Sequence, residues 1–417
     1  MRVAVYPHML ELGGSQLHAI ELAAGVRDLG HDVVVFAQPG PLKARVDELG
    51  LDFVAAPQPR GRPSPGVLRA LGGLIAERSL DVVHAYEWTT ALEAYWGAQV
   101  RRGVPAIASV MSMAVAPFIP RDLALVVGTE QIADHERRLG RPGVHVIEPP
   151  VDTDHNAPGI ADTAAFRREH GLDPDALTVV CVTRLAAELK LEGVLAAIDA
   201  VADVAATVPM QLVVVGDGPT RAIVGERAER ANARAGRRVV VLTGALDDPR
   251  AAYACADVCL GMGGSALRAA AFARPLVVQG ERGFWELLTP DTFAQFEWTG
   301  WYGVGDGPEH GRPRVAALLR ELGLDADRRA ALGAYGRRLI EERFSLARAA
   351  VRQVEIYERI AAGEPVHARR RLITAGGSAV GLAAYRTRRR AEQLLGRASV
   401  DDFNSVPVAA VAPPRAA

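Results

Sequence analysis

A glycine-rich stretch in the second half of the chain contains residue types that bind anions. The apolar run at residues 257–260 is followed by Gly263, Gly264 and Ser265 and then by an alanine-rich, helix-favouring segment. A strand, a glycine turn and a helix start form an anion cradle, because backbone N–H groups at a helix N-terminus point at the ligand. The charged residue one turn into this helix is Arg268, a cation rather than a carboxylate.

A second glycine turn follows the first apolar run of the chain. Gly13, Gly14 and Ser15 come after the strand-like run Val3–Pro7 and open a helical pattern. Paired glycines let backbone N–H groups approach an anion, and the helix N-terminus adds partial positive charge. The spacing is not the GxGxxG fingerprint of dinucleotide sites. A phosphate cradle and a plain strand–helix turn with Ser15 as N-cap are therefore equal alternatives.

Two cations flank the end of another predicted strand. Arg184 ends this strand, and Lys190 begins the helix that follows it. Ligands bind at the carboxyl ends of the strands in open α/β sheets. Two cations there suit a diphosphate, since an arginine can grip two oxygens at once. The alternative is a solvated helix start in which Lys190 pairs with Glu188 or Glu192.

Further candidates also follow predicted strands. Gly216 and Gly218 would allow the backbone to approach a planar ring, or they form an ordinary turn. His84 ends a strand and could act as an acid or base, although a histidine there also serves to hold a loop. Glu87 and Trp88 come next and could line a sugar pocket, because aromatic faces pack on sugar C–H surfaces.

These candidates depend on strands and helices that alternate along most of the chain. The strand-like runs are nearly continuously apolar, as in a parallel sheet covered on both faces. Their alternation with helical segments predicts a doubly wound α/β fold. The pattern restarts after a polar linker at residues 151–166. We therefore expect two Rossmann-like domains facing a cleft, which is the default ligand site of such a pair.

The predicted boundaries divide the chain into four parts. Residues 1–155 form the first Rossmann-like domain and residues 156–343 the second. Residues 344–362 form a closing helix, and residues 363–417 form a basic, low-complexity tail that is in part helical and otherwise disordered.

The totals exclude several classes of protein. The 417 residues carry a net charge of −1, so no global field draws the chain to nucleic acid. Three cysteines give no disulfide framework and indicate a reducing compartment. The sequence shows no secretory signal and no run long enough to span a membrane. We expect a soluble, cytoplasmic protein, and its Ala, Arg and Gly content suggests a bacterial origin.

In their order and spacing these stretches resemble the glycosyltransferases of the GT-B fold, specifically family 4, the retaining nucleotide-sugar-dependent enzymes. The resemblance covers about residues 1–360. The stretches that carry it are GGSQLHAIELAAGVRDLGHDV, DVVHAYEW, VIEPPVD, TRL with its following Lys and Gly, LVVVGDGP, LTGALDDPRAAYACADVCLG, ARPLVV and FSLARAAVRQVEIYERI.

The resemblance implies a division of labour. The second domain would bind the nucleotide sugar and the first the acceptor, which is a sugar, a lipid-linked or a small molecule. Gly13 and Gly14 would approach the donor phosphates. Arg184 and Lys190 would clamp the diphosphate and stabilise the leaving nucleotide, where charge develops as the bond breaks. The donor is then a co-substrate, no cofactor or metal is expected, and enzymes of this kind often lack a protein nucleophile.

The chain departs from the family pattern in its second domain. The family usually has two glutamates eight residues apart, of which the second lies seven residues before a proline and binds the ribose hydroxyls. Here Pro275 places Arg268 at that second position, and no carboxylate stands at the first. Arg268 would then lie near phosphate or ribose, or fold outward, and ribose binding would pass to Glu281 or Glu286.

Two smaller departures accompany this one. The spacing from Arg184 to Lys190 is one residue longer than the common pattern, and the strand at residues 106–110 lacks a histidine that the family often has there. The alternatives are a non-catalytic or regulatory homologue that has lost donor binding, and an inverting transferase or epimerase on the same fold. An inverting enzyme would need a general base, for which Glu87 and His84 are the candidates.

The tail allows one additional partner. Seven arginines flank a short apolar stretch, an arrangement that suits peripheral contact with the inner face of an anionic membrane. The alternative, which the sequence favours, is a solvated tail. The arginines are Arg369, Arg370, Arg371, Arg386, Arg388, Arg389 and Arg390.

Overall fold

The computed structural model describes residues 1–363 and 368–397 together with Phe403. These residues form two compact units. The first consists of Met1–Pro150 and the described residues from Leu346 onward, and the second of Val151–Ser345. Each unit contains a sheet with helices, so the predicted α/β class with two Rossmann-like halves is confirmed.

The sheet of the first unit has seven strands, which are β1 (Arg2–Tyr6), β2 (Asp32–Ala37), β3 (Asp52–Ala55), β4 (Val82–Tyr86), β5 (Ala106–Val110), β6 (Ala124–Val127) and β7 (Val144–Val146). Their order is β3-β2-β1-β4-β5-β6-β7, and every pair is parallel. Successive side chains of a strand point to opposite faces. Both faces are therefore covered: Val3 and Val5 lie in one apolar cluster and Ala4 and Tyr6 in another.

Five α-helices and one π-helical turn connect these strands. They are α1 (Gly14–Asp28), α2 (Lys43–Glu48), α3 (Pro65–Arg78), α4 (Glu87–Ala94), the π-helical turn (Tyr95–Val100) and α5 (Glu130–Arg138). Their starts follow ordinary capping chemistry. Pro65 stands at the first position of α3, where its missing N–H has no intrahelical acceptor to lose. The Thr129 side chain accepts a hydrogen bond from Ile132 N at the start of α5.

The sheet of the second unit has six strands, which are β8 (Leu177–Val182), β9 (Met210–Val215), β10 (Val240–Gly244), β11 (Val258–Gly261), β12 (Leu276–Gln279) and β13 (Trp285–Leu287). Their order is β10-β9-β8-β11-β12-β13, and all pairs are parallel except β12 with β13. The helices are α6 (Thr163–Glu169), α7 (Leu191–Val204), α8 (Arg221–Ala235), α9 (Arg250–Cys255), α10 (Gly264–Ala271), α11 (Phe293–Thr299), a 3-10 turn (Pro308–His310), α12 (Gly311–Leu324) and α13 (Ala326–Arg343).

The chain then returns to the first unit through α14 (Leu346–Ala361). This helix packs on α1, and its Tyr357 lies in the same apolar cluster as Val3 and Val5. The Tyr357 hydroxyl lies 2.6 Å from Nδ1 of His84, a buried residue of β4. The units divide at Pro150/Val151 and at Ser345/Leu346. The sequence predicts these boundaries a few residues away, after residues 155 and 343.

The tail contains a final helix, α15 (Ala368–Leu394). It belongs to the first unit, where Leu382 joins the apolar cluster around Phe118 and Ser378 Oγ donates to Phe118 O at 2.6 Å. The low-complexity end of the predicted tail lies outside the described residues. Across the helices that the structure describes, none has the length and apolar content required to cross a bilayer.

The Tyr357–His84 hydrogen bond predicts a measurable stability effect. Tyr357→Phe leaves the buried His84 Nδ1 without this partner, so we expect the free energy of unfolding to fall by about 1–3 kcal/mol. Tyr335→Phe is the control, because the Tyr335 side chain is only partly buried and we expect a change within about 0.5 kcal/mol. Urea unfolding followed by circular dichroism measures both, and equal effects would show that the bond does not anchor α14.

Candidate functional site

The strand order of each sheet reverses at one point. In the first unit it reverses between β1 and β4, and in the second between β8 and β11. The crevice outside the carboxyl ends of the strands at such a point is where open α/β sheets bind ligands. The segments that follow these four strands contain most of the residues that the sequence singles out.

The first of these segments leads into α1. Its N-cap is Gly13, with extended backbone, and no side chain caps the helix. The alternative of Ser15 as N-cap is therefore wrong, since its hydroxyl instead donates to Glu87 Oε1 at 3.0 Å. No acidic residue stands in the first turn. The N–H groups of Gly14 and Ser15 have no intrahelical acceptor, so they remain suited to an anion.

Glu87, which follows β4, ties three loops together. Its carboxylate accepts hydrogen bonds from Ser15 Oγ at 3.0 Å, Met111 N at 3.0 Å and Ser112 Oγ at 2.9 Å. Its backbone has a φ of 66°, in the left-handed region. The structure thus places this residue where it positions the first turn of α1 against the loop after β5. Its predicted role as a base is not tested, but the carboxylate is already bound by three donors.

His84 lies inside the sheet rather than at its edge. It is fully buried, with Nε2 2.7 Å from Ser109 Oγ and Nδ1 2.6 Å from the Tyr357 hydroxyl. Burial, with a further contribution from His18, lowers the pKa of His84 to about 3. A neutral, enclosed imidazole with both nitrogens bonded fits the structural alternative, and nothing here supports the predicted acid or base role.

A buried polar cluster near the end of β1 has no counterpart in the sequence predictions. Glu93 of α4 is fully buried and accepts hydrogen bonds from the Tyr6 hydroxyl at 2.7 Å and Ser64 N at 2.8 Å, and it pairs with Arg62. His8 lies beside this group, where burial and the charge of Arg62 lower its pKa to about 4. The cluster members lie far apart along the chain, so no local pattern reveals them.

In the second unit the two predicted cations, Arg184 and Lys190, both lie in the segment between β8 and α7. Arg184 is exposed, while Lys190 is half-buried as the N-cap of α7. Burial, with a smaller contribution from the Arg184 charge, lowers the pKa of Lys190 to about 8, whereas Cys181 and Glu281 act in the opposite direction. The charges of Arg184 and Glu281 therefore both act on Lys190. In the described part of the chain, no ion pair joins Lys190 to either of its alternative partners, Glu188 and Glu192. Glu192 instead accepts hydrogen bonds from Arg282 N and Gly283 N.

The glycines after β9 are required by close backbone contacts. A Cβ on Gly216, whose φ is 143°, would lie 1.9 Å from Thr183 O. A Cβ on Gly218, whose φ is 157°, would lie 2.4 Å from Leu185 O. Leu185 N also donates to Asp217 O at 2.9 Å. The two glycines thus hold the segment that contains Arg184 against the end of β9.

The turn between β11 and α10 offers fewer donors than the sequence indicates. Gly263 is the N-cap of α10, but its N–H donates to Trp301 O at 2.9 Å. Ser265 Oγ donates to Met262 O at 3.0 Å. The expectation that the whole turn offers its N–H groups to an anion is corrected at Gly263. The N–H groups of Gly264 and Ser265, in the first turn of α10, have no intrahelical acceptor.

The residues considered for ribose binding occupy different environments. Arg268 is half-buried on α10, where its charge acts on the buried Tyr253. Glu281 follows β12 and accepts a hydrogen bond from the Tyr302 hydroxyl, and it lies near Lys190. Glu286 pairs with Arg314. Of the two carboxylates, Glu281 is the one beside the predicted diphosphate cations.

Within residues 1–363, 368–397 and Phe403, no cluster of three or more His, Cys, Asp or Glu residues is arranged to hold a metal ion.

Two family models match the chain, one in each unit. The "Glycosyl transferase 4-like domain" model matches residues 13–125, and the "Glycosyl transferases group 1" model matches residues 176–295. The chain belongs to the glycosyltransferases. The predicted resemblance is confirmed at this level, whereas family 4 itself stays a prediction. No curated protein sequence matches the chain.

Solved glycosyltransferase structures share the GT-B fold of this chain at low sequence identity. HepE from Anabaena, in complex with UDP, is 15% identical with a TM-score of 0.68, covering 86% of this chain and 100% of its own. A glycosyltransferase from Rickettsia africae is 14% identical with a TM-score of 0.67, covering 87% and 99%. The catalytic domain of starch synthase IV from Arabidopsis thaliana, bound to ADP and acarbose, is 15% identical with a TM-score of 0.64, covering 87% of this chain and 99% of that domain.

The glycine contacts after β9 predict a sharp difference between two substitutions. Gly216→Ala places a methyl group inside contact distance of Thr183 O, so we expect a loss of at least about 2 kcal/mol in the stability of the second unit. Gly225→Ala in α8 is the control, because a Cβ at this position meets no atom within 4 Å. Replacing a glycine inside a helix by alanine is expected to stabilise the protein by about 0.5–1 kcal/mol. Urea unfolding of both variants tests this, and a neutral Gly216→Ala would contradict the geometry.

Proposed function

We propose that this glycosyltransferase transfers a sugar from a nucleoside-diphosphate sugar to an acceptor hydroxyl, with the donor diphosphate bound by the second unit. The observation that carries the proposal is that Arg184 and Lys190 both lie between the carboxyl end of β8 and the start of α7, where the charge of Arg184 acts on Lys190. This is the point at which the strand order reverses, so the two cations lie where open sheets bind ligands.

The chemistry of the leaving group explains why two cations belong there. When the bond between the sugar and the diphosphate breaks, negative charge develops on the diphosphate oxygens. Preorganised positive groups that face this charge lower the barrier, and such electrostatic stabilisation supplies most of the rate acceleration in many enzymes. Arg184 can hold two oxygens in a fixed geometry, while Lys190 supplies a compact charge. The Gly264 and Ser265 N–H groups at the start of α10 add donors at the neighbouring strand end.

Uridine diphosphate is the first donor nucleotide to test. Structures of HepE are described with UDP and with UDP-glucose, and starch synthase IV is described with ADP. These ligands belong to those proteins, whose identity to this chain is 15%. They nevertheless support a nucleoside diphosphate as the ligand class for the same fold.

We propose further that transfer retains the anomeric configuration and needs no metal. An inverting enzyme requires a free general base near the acceptor. His84 is enclosed with both ring nitrogens bonded, and the Glu87 carboxylate already accepts three hydrogen bonds. The acceptor hydroxyl would then attack from the face that the nucleotide leaves. Arg184 and Lys190 would supply the positive charge that a metal supplies elsewhere.

One observation favours a second candidate function. Arg268 stands where the resemblance to family 4 implies a ribose-binding glutamate, and a non-catalytic homologue would tolerate that loss. Glu281, placed beside Lys190, is the carboxylate that could take over ribose binding in an active enzyme. Nucleotide binding separates these two candidates.

The primary test is a thermal-shift panel of UDP, GDP, dTDP and ADP on the wild type and on the double variant Arg184→Ala with Lys190→Ala. A nucleotide at about a hundred times its dissociation constant stabilises the fold by about 2.7 kcal/mol, and we expect the double variant to lose this shift. The control is Arg230→Ala, which removes an exposed arginine of α8. If no nucleotide stabilises the folded wild type, the non-catalytic candidate replaces the enzyme.

The pKa of Lys190 predicts how nucleotide affinity depends on pH. Lys190 is positive below its pKa of about 8 and neutral above it, so UDP affinity should fall as pH rises through that value. The limiting slope is about tenfold per pH unit, because one proton is taken up on binding. Lys190→Arg keeps the charge at every pH and should abolish the decline. Isothermal titration calorimetry at pH values below and above that pKa measures the affinity of both proteins. If UDP affinity falls with pH in Lys190→Arg as it does in the wild type, another group causes the decline.

A further inference from the structure

The outward side of α15 carries apolar side chains with nothing packed on them. Leu372, Ile373 and Val380 are exposed by 64%, 67% and 71%. Leu394 and Leu395, at the end of the helix, are exposed as well. Large apolar side chains scattered singly over a surface are ordinary, but a set along one helix marks a contact site.

These residues share one face of the helix. At 3.6 residues per turn, positions 372, 373, 376, 377, 380, 383 and 384 fall within one half of the helical circumference. All of them are exposed, and none carries a charge. We call them the outer face of α15.

The opposite side of the helix holds α15 on the first unit. Leu382 and Ser378 are buried, and Ser378 Oγ donates to Phe118 O. The Tyr385 ring lies 5.0 Å from the Phe118 ring and 5.7 Å from that of Phe403. The helix is therefore anchored through one side while the outer face remains uncovered within the described residues.

Arginines follow the outer face at its C-terminal end, within about two turns of position 384, and in helical projection they fall at its two edges. Arg386 and Arg390 lie at one edge, and Arg388 lies at the other. All three are exposed, and the helix contains a single acidic residue, Glu392. Arg388 Nε lies 3.4 Å from Glu392 Oε1. Neither Arg386 nor Arg390 has an ion pair among the residues that the structure describes.

We propose that the outer face of α15 seats this protein on an anionic lipid surface. A helix with an uncharged apolar face and arginines at one end of that face is suited to lie in the plane of a bilayer interface, with its apolar side chains below the headgroups. Long arginine stems extend along the apolar layer and leave their charge at the phosphates. Charge complementarity selects anionic lipid as the occupant, because each arginine near such a surface contributes binding that an uncharged partner does not provide.

The experiment is cosedimentation of the full chain with vesicles of phosphatidylcholine alone or mixed equally with phosphatidylglycerol. Three variants are compared with the wild type. The face variant combines Ile373→Asp with Val380→Asp, and the border variant combines Arg386→Glu with Arg390→Glu. The control variant is Leu324→Asp, which changes a leucine of α12 that is 73% exposed in the second unit.

We expect the wild type and Leu324→Asp to sediment with the mixed vesicles and to remain in solution with phosphatidylcholine alone. The face and border variants should bind the mixed vesicles about tenfold more weakly or worse. Added salt should release the wild type, because it screens the arginines. An unchanged thermal unfolding midpoint confirms that each variant is folded. If the face variant is unfolded, the border variant alone tests the proposal.

Three results would overturn the proposal. Wild-type protein that stays in solution with both vesicles shows that lipid is not the occupant. Equal binding of the face variant and the wild type shows that α15 is not the contact. A dimer that the face variant abolishes, without vesicle binding, assigns the outer face to a second copy of the chain. Because no nucleotide or sugar is present in this assay, its outcome is separate from that of the proposed sugar transfer.

Discussion

Strands that run in one direction end at the same edge of their sheet, and the candidate site depends on this constraint. All pairs in the first sheet are parallel, and in the second sheet only β13 runs against its neighbour. Residues that follow different strands therefore gather although the sequence separates them widely. Arg184 follows β8, Glu281 follows β12, and both act on the charge of Lys190. Strand direction, rather than any pairing between these side chains, brings them together.

Much of this arrangement could be predicted from the sequence, for physical reasons that also explain the failures. Short, nearly continuous apolar runs indicate buried parallel strands, and the residue after each run then lies at a known edge of the sheet, which locates Arg184 and Gly216. Contacts between distant segments leave no such local signal. Glu93 is of a residue type that is rarely fully buried, yet it is buried here and bonded to Tyr6 and Arg62, which lie far away in the sequence. His84 was ambiguous because the polarity of a side chain does not reveal whether its partners enclose it.

The two units treat buried charge differently, and the difference matches their proposed tasks. In the first unit Glu93 has a full set of donors and an arginine, so its cost of burial is offset within the protein. In the second unit burial is the main cause that lowers the pKa of Lys190, and the charge of Glu281 offsets only part of that effect. A bound diphosphate would supply the missing negative charge. The incomplete compensation of Lys190 then becomes a source of affinity for an anion at that place.

The first unit is built from two separated parts of the chain, and this has a consequence for its synthesis. A ribosome delivers β1 to β7 first, but α14 emerges only after the whole of the second unit, from Val151 to Ser345. Until then the nascent first sheet has no Tyr357 to meet His84, and the side of α1 that α14 covers is open to solvent. The second unit, in contrast, is one continuous segment that can complete its sheet as it leaves the ribosome. The unit that is begun first is thus the last to be finished, and the apolar surface of its early half stays uncovered until the second unit has been synthesised.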